Sequence, residues 1–399
     1  MNMNKKSLND LGGIAGKRVF VRVDYNVPQD ETGKITDDIR IRESLATLKF
    51  LLGKGARVIL CSHLGRPKGR DEKFSLKPVA ERLRVLLPGV NVVMADDCIG
   101  AGVEQQVAAL KNGEVMLLEN VRYYAQESDN DADFAKKLAA LADVYVNDAF
   151  GAAHRAHAST EGITKFVQTA VAGLLLEKEI SILGGAISDP KRPLTVIIGG
   201  AKIADKAAVL ENLLKIADNI LVGGGMTYTF AKAQGGKIGD SIVDDSMLDY
   251  CAGVIKTATT VGKVLALGID TVAADKFAAD ANTKICDIHD IPTGWQGLDL
   301  GPKTVARFIE IIKTSGTIIW CGALSVFEFK KFANGTREVA TAITAVPDAV
   351  SIVGGGDSAA SVALLGLADK FTHISTGGGA TLEMLEGKIL PGVAALNNK

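Results

Sequence analysis

The sequence predicts an α/β protein of two doubly wound, parallel-sheet (Rossmann-like) domains joined by a hinge helix. Three observations carry this. Short apolar, β-branched runs alternate with longer amphipathic stretches along the whole chain, the pattern of parallel strands buried between helices. The chain has 399 residues, more than one ordinary core accommodates. A long amphipathic stretch, Thr169–Leu183, is followed by Gly184–Gly185 and then by Pro190 and Pro193, which lead into a fresh strand. That punctuation marks a domain boundary.

Taken in order, the strands expected in the first half are Val19–Val23, Arg57–Cys61, Asn91–Met94, Val115–Leu118 and Val144–Val146. Each is rich in Val, Ile and Leu and is bounded by turn residues. The second half repeats the plan with Leu194–Ile198, Asn219–Val222, Lys263–Leu267, Thr317–Trp320, Val350–Val353 and His373–Ser375. Between them, apolar residues recurring every three or four positions predict helices over Ile41–Gly53, Ala132–Ala142, Ala204–Ala217, Met247–Thr259 and Pro302–Thr314. The halves share an architecture without sharing a sequence.

Composition narrows the function. Hydrophobic residues make up 47% and charged residues 23%, while aromatics are only 5%, so the cores are built from aliphatic side chains. The formal net charge of −1 and the lack of a basic stripe argue against nucleic acid as a partner. The five cysteines are scattered, with no CxxC pair, which reads as buried thiols in a reducing compartment. Met1–Asp10 is polar, and no apolar run reaches about 18 residues, so neither a signal peptide nor a membrane span is expected and the cytoplasm is the predicted location.

In open parallel sheets, ligands bind beyond the carboxyl ends of the strands. In the first 160 residues, arms at the expected strand ends carry Arg22, Arg40, His63 to Arg66, Arg122, and His154 with Arg155. A single arginine on a loop is commonly just solvated. A whole set at one sheet edge reads as guanidinium forks for a small, highly charged anion. In the second half the strands instead run into glycines: Gly199–Gly200, Gly223–Gly225, Gly354–Gly356 and Gly377–Gly379. Glycines let backbone N–H groups approach phosphate, and a helix N-terminus adds partial positive charge. Lys202 and Lys206, four apart, fall on one face if a helix starts at Gly200; they read as a phosphate-binding pair or as a solvated lysine face. Asp357 reads either as an N-cap or, beside a polyphosphate, as a Mg²⁺ ligand. No P-loop, GxGxxG or zinc-ligand spacing occurs, which disfavours P-loop nucleotide chemistry, dinucleotide redox chemistry and metallohydrolysis.

In order along the chain stand VRVDYNVP (21–28), ITDDIRI (35–41), SHLGRP (62–67), LLENVRYY (117–124), NDAFGAAHRAHAST (147–160), GGAKIADK (199–206), GGGMTYTF (223–230), GLDLGPKT (297–304), GGGDSAA (354–360) and HISTGGGATLEMLEGKILPG (373–392). Together these segments resemble the phosphoglycerate kinase family over essentially the whole length. The resemblance implies an ATP:3-phosphoglycerate phosphotransferase that makes or consumes 1,3-bisphosphoglycerate. It implies domains at 1–168 (phosphoglycerate), 189–381 (nucleotide), an interdomain segment at 169–188, and a segment at 382–399 returning to the first domain. Asp24, Asn26, Arg40, His63, Arg66, Arg122 and Arg155 would hold phosphoglycerate. Gly200, Ala201, Lys206, Gly224, Gly294, Glu328, Gly355, Gly356, Asp357 and Ser358 would hold ATP or ADP, with Glu328 on the ribose and Asp357 on Mg²⁺. Arg40, Lys202 and the Gly378 and Gly379 backbone would contact the phosphoryl group in flight. A monomer is expected.

The acceptors, a carboxylate or the terminal phosphate of ADP, are already ionised at neutral pH. Catalysis therefore reduces to positioning and charge stabilisation after domain closure. One segment departs from the family's W-N-G-P-x-G-V-F-E. Here it reads Trp320–Cys321–Gly322–Ala323–Leu324–Ser325–Val326–Phe327–Glu328. A Ser325 forced to positive φ would be strained by roughly 1–2 kcal/mol. That loop motivates a competing reading, a family member with impaired chemistry that binds nucleotide or a partner. A nicotinamide oxidoreductase is the third reading, and the missing fingerprint opposes it. Cys321 reads as a buried inert thiol or as a reactive one.

Overall fold

A computed structural model describes residues 4–399 and divides the chain into two compact units, Met1–Ser181 with Ile389–Lys399, and Ile182–Lys388. The first contains β1 (Arg18–Val23), α1 (Ile39–Gly53), β2 (Arg57–Cys61), α2 (Lys77–Leu86), β3 (Val92–Met94), α3 (Ala101–Ala109), β4 (Val115–Leu117), α4 (Ala125–Ser128), α5 (Ala132–Ala139), β5 (Val144–Asp148), β6 (Ala170–Ala172) and the start of α6 (Leu174–Ser188). Its six strands are all parallel, in the order β3-β4-β2-β1-β5-β6. Every residue of β5 is buried, as a strand covered on both faces requires.

The second unit contains β7 (Leu194–Ile198), α7 (Ala207–Ile216), β8 (Asn219–Val222), α8 (Met226–Ala233), β9 (Lys237–Ile238), α9 (Leu248–Thr260), β10 (Val264–Ala266), β11 (Asp270–Ala274), β12 (Thr283–Asp287), β13 (Asp290–Ile291), β14 (Gln296–Leu300), α10 (Pro302–Ile312), β15 (Thr317–Cys321), α11 (Asn334–Thr344), β16 (Val350–Gly354), α12 (Gly356–Leu364), β17 (His373–Ile374) and α13 (Gly378–Leu385). Its main sheet is also six parallel strands, β10-β8-β7-β15-β16-β17. In both sheets the first strand is central and the chain winds outwards in both directions, so each has a switch point, between β1 and β5 and between β7 and β15. That is where a doubly wound sheet opens a crevice.

Three local expectations differ from the structure. The stretch Thr169–Leu183 is not one helix: its start pairs with β5 as β6, and α6 runs from Leu174 through Gly184–Gly185 to Ser188. Ala170–Val171–Ala172 is apolar with period neither 2 nor 3.6, so burial at the sheet edge decided its state. The helix expected from Ala204 opens as a 3₁₀ turn over Ala204–Lys206, and α7 begins at Ala207. The antiparallel sheet β12-β11-β14 is an addition that the parallel pattern did not announce.

Candidate active site

In the first unit the arginines do not all act as arms. Arg22 belongs to β1 and is 0% exposed. Its Nε donates to Ser159 Oγ at 2.7 Å, one Nη donates to the Val23 carbonyl, and the other meets His63 Nδ1 at 3.2 Å. Arginine has no acceptor, so His63 Nδ1 must carry the lone pair and Nε2 the proton. Burial holds His63 well below its ordinary pKa; Asp24 opposes this, and Arg22, Arg122 and Arg40 add to it. His63 is therefore neutral at pH 7 and offers one N–H.

Arg40, in the first turn of α1 and not at a strand end, donates to Asp24 Oδ2 at 2.9 Å and to the Asn26 carbonyl at 3.3 Å. Burial raises the Asp24 carboxyl, but the Arg40 and Arg22 guanidinium charges bring it below the usual carboxylate value. Asn26 Oδ1 accepts the Gly65 N–H at 2.8 Å, which leaves its NH₂ as the donor end. Arg122 donates to the Gly65 carbonyl at 2.8 Å, and burial with the Arg22 charge pushes its guanidinium down to about 10, so it stays cationic. Asp24, Asn26, Arg40, His63 and Arg122 thus form one connected set beyond β1 and β2. Arg66 and Arg155 are exposed, and neither makes an ion pair with another described residue.

Beneath this set lies Glu127, a residue the sequence does not single out. It is 0% exposed and accepts the Ser159 hydroxyl at 2.6 Å and the Ser159 N–H at 2.9 Å. Ser159 in turn receives Arg22, so a buried carboxylate sits two hydrogen bonds from a buried guanidinium.

In the second unit the strand ends converge on the loop after β15. Gly224 has φ +68° and donates to the Leu324 carbonyl at 3.0 Å, and a Cβ there would collide with the Ala323 carbonyl and the Gly200 backbone. Only glycine fits. On the other side of the switch point, the Gly355 and Gly378 backbones approach so closely that a Cβ on Gly378 would lie 2.8 Å from the Gly355 Cα. This contact sets the starts of α12 and α13 together, so both offer unpaired N–H groups in one place. Gly379 is exposed in the first turn of α13.

A cavity of about 560 Å³ opens beside these glycines. Gly200, Ala201, Gly224, Glu328 and Asp357 line it. Lys202 is exposed in the loop and Lys206 half-buried at the head of α7, so the two are not one helical face. Gly356 starts α12, and Ser358 braces the loop by donating to the Gly354 carbonyl at 2.5 Å and accepting the Gly322 N–H at 3.3 Å. Gly294 is absent from the wall: it sits exposed in the turn before β14 and donates to Asp240 Oδ1 at 3.2 Å. The glycine of that segment in the wall is Gly297, the first residue of the quoted GLDLGPKT. Asp299, from the same motif, is also in the wall, where burial pushes its carboxyl up to about 7.

Asp357 is not the cap of α12. Gly355 holds that position, and the Asp357 carboxylate makes no hydrogen bond with another described residue. An uncommitted carboxylate in the first turn of a helix, on the wall of a glycine-edged cavity, fits a cation carried by phosphate. No group of three or more metal-ligating side chains occurs among the described residues, so most of the ligands of such an ion would be phosphate and water oxygens, as Mg²⁺ prefers.

The altered loop is unstrained. Among described non-glycine residues only Asn130 and Asp348 have positive φ; in this segment Gly322 takes it, at +94°. Ser325 Oγ instead pairs with Thr336 Oγ1 at 2.6 Å. Cys321 is buried, and burial pushes its thiol up to about 12 against the pull of Lys206, so it is the inert cysteine. Ser325→Gly is expected to lower stability by about 1 kcal/mol through the lost hydroxyl bond, with the ADP dissociation constant unchanged within about threefold. Urea denaturation and an ADP titration check it; a larger change in ADP affinity would mean the hydroxyl touches nucleotide.

Comparison with known proteins agrees with this geometry. The phosphoglycerate kinase family model matches residues 8–388. The cytosolic phosphoglycerate kinase of Triticum aestivum is 55% identical over 397 residues, covering 98% of this chain and 99% of that one. Phosphoglycerate kinase 2, chloroplastic, of Arabidopsis thaliana is 54% identical over 401 residues, covering 100% of this chain and 84% of that one. Among solved structures, phosphoglycerate kinase from Coxiella burnetii superposes with a TM-score of 0.88 at 38% identity, covering 98% of both chains. A match that spans both sheets and both sets of strand ends leaves one conclusion, that the chain belongs to the phosphoglycerate kinase family.

Proposed function

We propose that the activity of this family, phosphoryl transfer between 1,3-bisphosphoglycerate with ADP and 3-phosphoglycerate with ATP, is carried here by direct in-line transfer after closure of the two units. The observation that supports it is the division of chemistry: a connected guanidinium–carboxylate–imidazole set at one sheet edge, and bare glycine backbone beside a cavity at the other. The first suits a small phosphorylated acid, the second a nucleotide polyphosphate.

In this reading Arg122, Arg66 and Arg155 pair with the phosphate and carboxylate of phosphoglycerate, where fork geometry gives two bonds per side chain. His63 Nε2–H and the Asn26 NH₂ donate to substrate oxygens. Asp24 can only accept, so it takes the substrate hydroxyl while holding Arg40. Gly200, Ala201, Lys206, Gly224 and the Gly355–Ser358 turn receive the nucleotide, with Glu328 on the ribose. Arg40, Lys202 and the N–H groups of Gly378 and Gly379 take the charge of the phosphoryl group as it moves. No side chain serves as a base, since neither acceptor oxygen carries a proton at neutral pH. Closure excludes water, which would hydrolyse the acyl phosphate.

Magnesium enters with the nucleotide as part of the substrate and, when bound, draws negative charge from the phosphate oxygens; Asp357 is its protein ligand. Asp357→Asn is expected to weaken MgADP about tenfold, or 1.4 kcal/mol, and to leave metal-free ADP unchanged. Calorimetric titrations with Mg²⁺ and with EDTA separate the two, and equal losses in both would remove the assignment.

The protein acts as a monomer in a reducing compartment, which we take as the cytoplasm. All five cysteines are free, in keeping with such a setting. The named relatives include cytosolic and chloroplastic enzymes. The decisive experiment is transfer from MgATP to 3-phosphoglycerate, coupled to NADH oxidation. Turnover at ordinary kinase rates is expected. MgADP binding without turnover would favour the binding-only reading that the altered 321–325 loop motivates; the φ of Ser325 in that loop is not positive.

A further inference from the structure

The chain passes between the units twice, inside α6 after Ser181 and again after Lys388. In the first unit both passages are tied to two consecutive residues at the end of β5. Asp148 Oδ1 accepts the N–H groups of Leu175 at 2.9 Å and Leu176 at 3.2 Å, at the start of the outgoing helix. The Leu174 N–H is held by Thr47 Oγ1 at 2.9 Å, and the Gly173 N–H by the Asn147 carbonyl at 2.8 Å. A Cβ on Gly173 would collide with the Asp148 carboxylate, so the contact has no slack. Asn147 Nδ2 donates to the Gly392 carbonyl of the returning segment at 3.1 Å, and the Gly392 N–H donates to the Ala153 carbonyl at 2.9 Å.

Asn147 and Asp148 are 0% and 1% exposed. The residues that follow them, Ala149–Arg155, lead directly to His154 and Arg155. The edge assigned to phosphoglycerate and the two passages therefore share one anchor. A cap that only stabilised the first unit would need none of this convergence.

We propose that Asn147 and Asp148 are positioning residues for the transfer: they couple occupation of the phosphoglycerate edge to the directions in which both passages leave the first unit. This rests on the assignment of phosphoglycerate to that edge. The carboxylate of Asp148 is faced by the Thr47 hydroxyl of α1, by the helix-start N–H groups and by buried Tyr25, with no cation against it. Its work is thus geometric, and a neutral acceptor should replace it.

The test compares Asp148→Asn, which keeps an acceptor for Leu175 and Leu176, with Asp148→Ala, which does not. Asp148→Asn is expected to retain kcat within about threefold. Asp148→Ala is expected to lose about tenfold or more in kcat, while its equilibrium dissociation constant for 3-phosphoglycerate stays within about threefold. Parental kcat in the alanine variant, or an equal loss in 3-phosphoglycerate binding, would overturn the proposal.

Should the alanine variant not fold, hydrogen exchange on the unaltered chain decides. Saturating 3-phosphoglycerate alone should slow exchange at Leu175, Leu176 and Gly392 together with Ala149–Arg155. Protection of 149–155 without the other three refutes the coupling. No protection at 149–155 refutes the phosphoglycerate assignment itself, and the coupling with it.

Discussion

Lys202→Ala and Arg40→Ala should each lower kcat by about 10²–10³, the loss typical of removing one preorganised donor from developing charge. The two should differ in binding. Lys202 is exposed and makes no bond that holds its own loop, so its loss should leave the dissociation constant for 3-phosphoglycerate unchanged. Arg40 also holds Asp24 at 2.9 Å, so its loss frees a carboxylate at the substrate edge and should raise that constant as well. The coupled assay and an equilibrium titration give both quantities. A Lys202→Ala enzyme with parental kcat would remove this lysine from the transfer site, and parental kcat with a tenfold rise in the MgATP dissociation constant would make it a binding residue only.

Glu127→Ala should destabilise the protein by about 3–5 kcal/mol, a large share of the 5–15 kcal/mol that holds a typical fold together. The reason is charge. Arg22 is wholly buried with Arg122 and His63 around it, and Glu127 is the buried carboxylate on the other side of Ser159. Removing it takes away the carboxylate that reaches Arg22 through Ser159, leaving Asp24 as its remaining counter-charge, and leaves the Ser159 N–H without its acceptor. Glu127→Gln keeps the acceptor and the volume, so it should lose less. Midpoints of urea denaturation at constant slope measure both; an alanine variant within about 1 kcal/mol of the parent would show that the charge is balanced elsewhere.

Much of this could be read from residues alone. The strands of the two large sheets are mostly apolar, and such runs have few alternatives to burial between helices. The gathering of Asp24, Asn26, Arg40 and Arg122 beyond β1 and β2 was readable because charged groups near strand ends have one solvent-facing place to go. What failed failed locally. Ala170–Ala172 carries no periodicity, so only its neighbour β5 could make it a strand. Arg22 reads like the other arginines, and only its place within β1, a strand buried on both faces, separates an exposed arm from a buried support. Glu127 lies on a four-residue helix with no motif around it, and its role exists only once Ser159 folds back on it. Gly294 and Gly297 are three residues apart in a turn-rich stretch, where spacing does not say which one faces a cavity.

The first unit is discontinuous in sequence: Ile389–Lys399 belongs to it although all of the second unit intervenes. Its Lys5 side chain reaches the carbonyls of Ala394 and Leu396, each at 2.8 Å, and the Lys6 N–H meets the Asn397 carbonyl at 2.8 Å. During synthesis, then, the unit begun first is finished after the other. At about 5–20 residues per second, tens of seconds separate Ser181 from Ile389. Through that interval the sheet edge at β6 waits for its partner segment, exposed to chaperones and to wrong pairing. A message cut short after Lys388 would yield a complete second unit beside an unfinished first one.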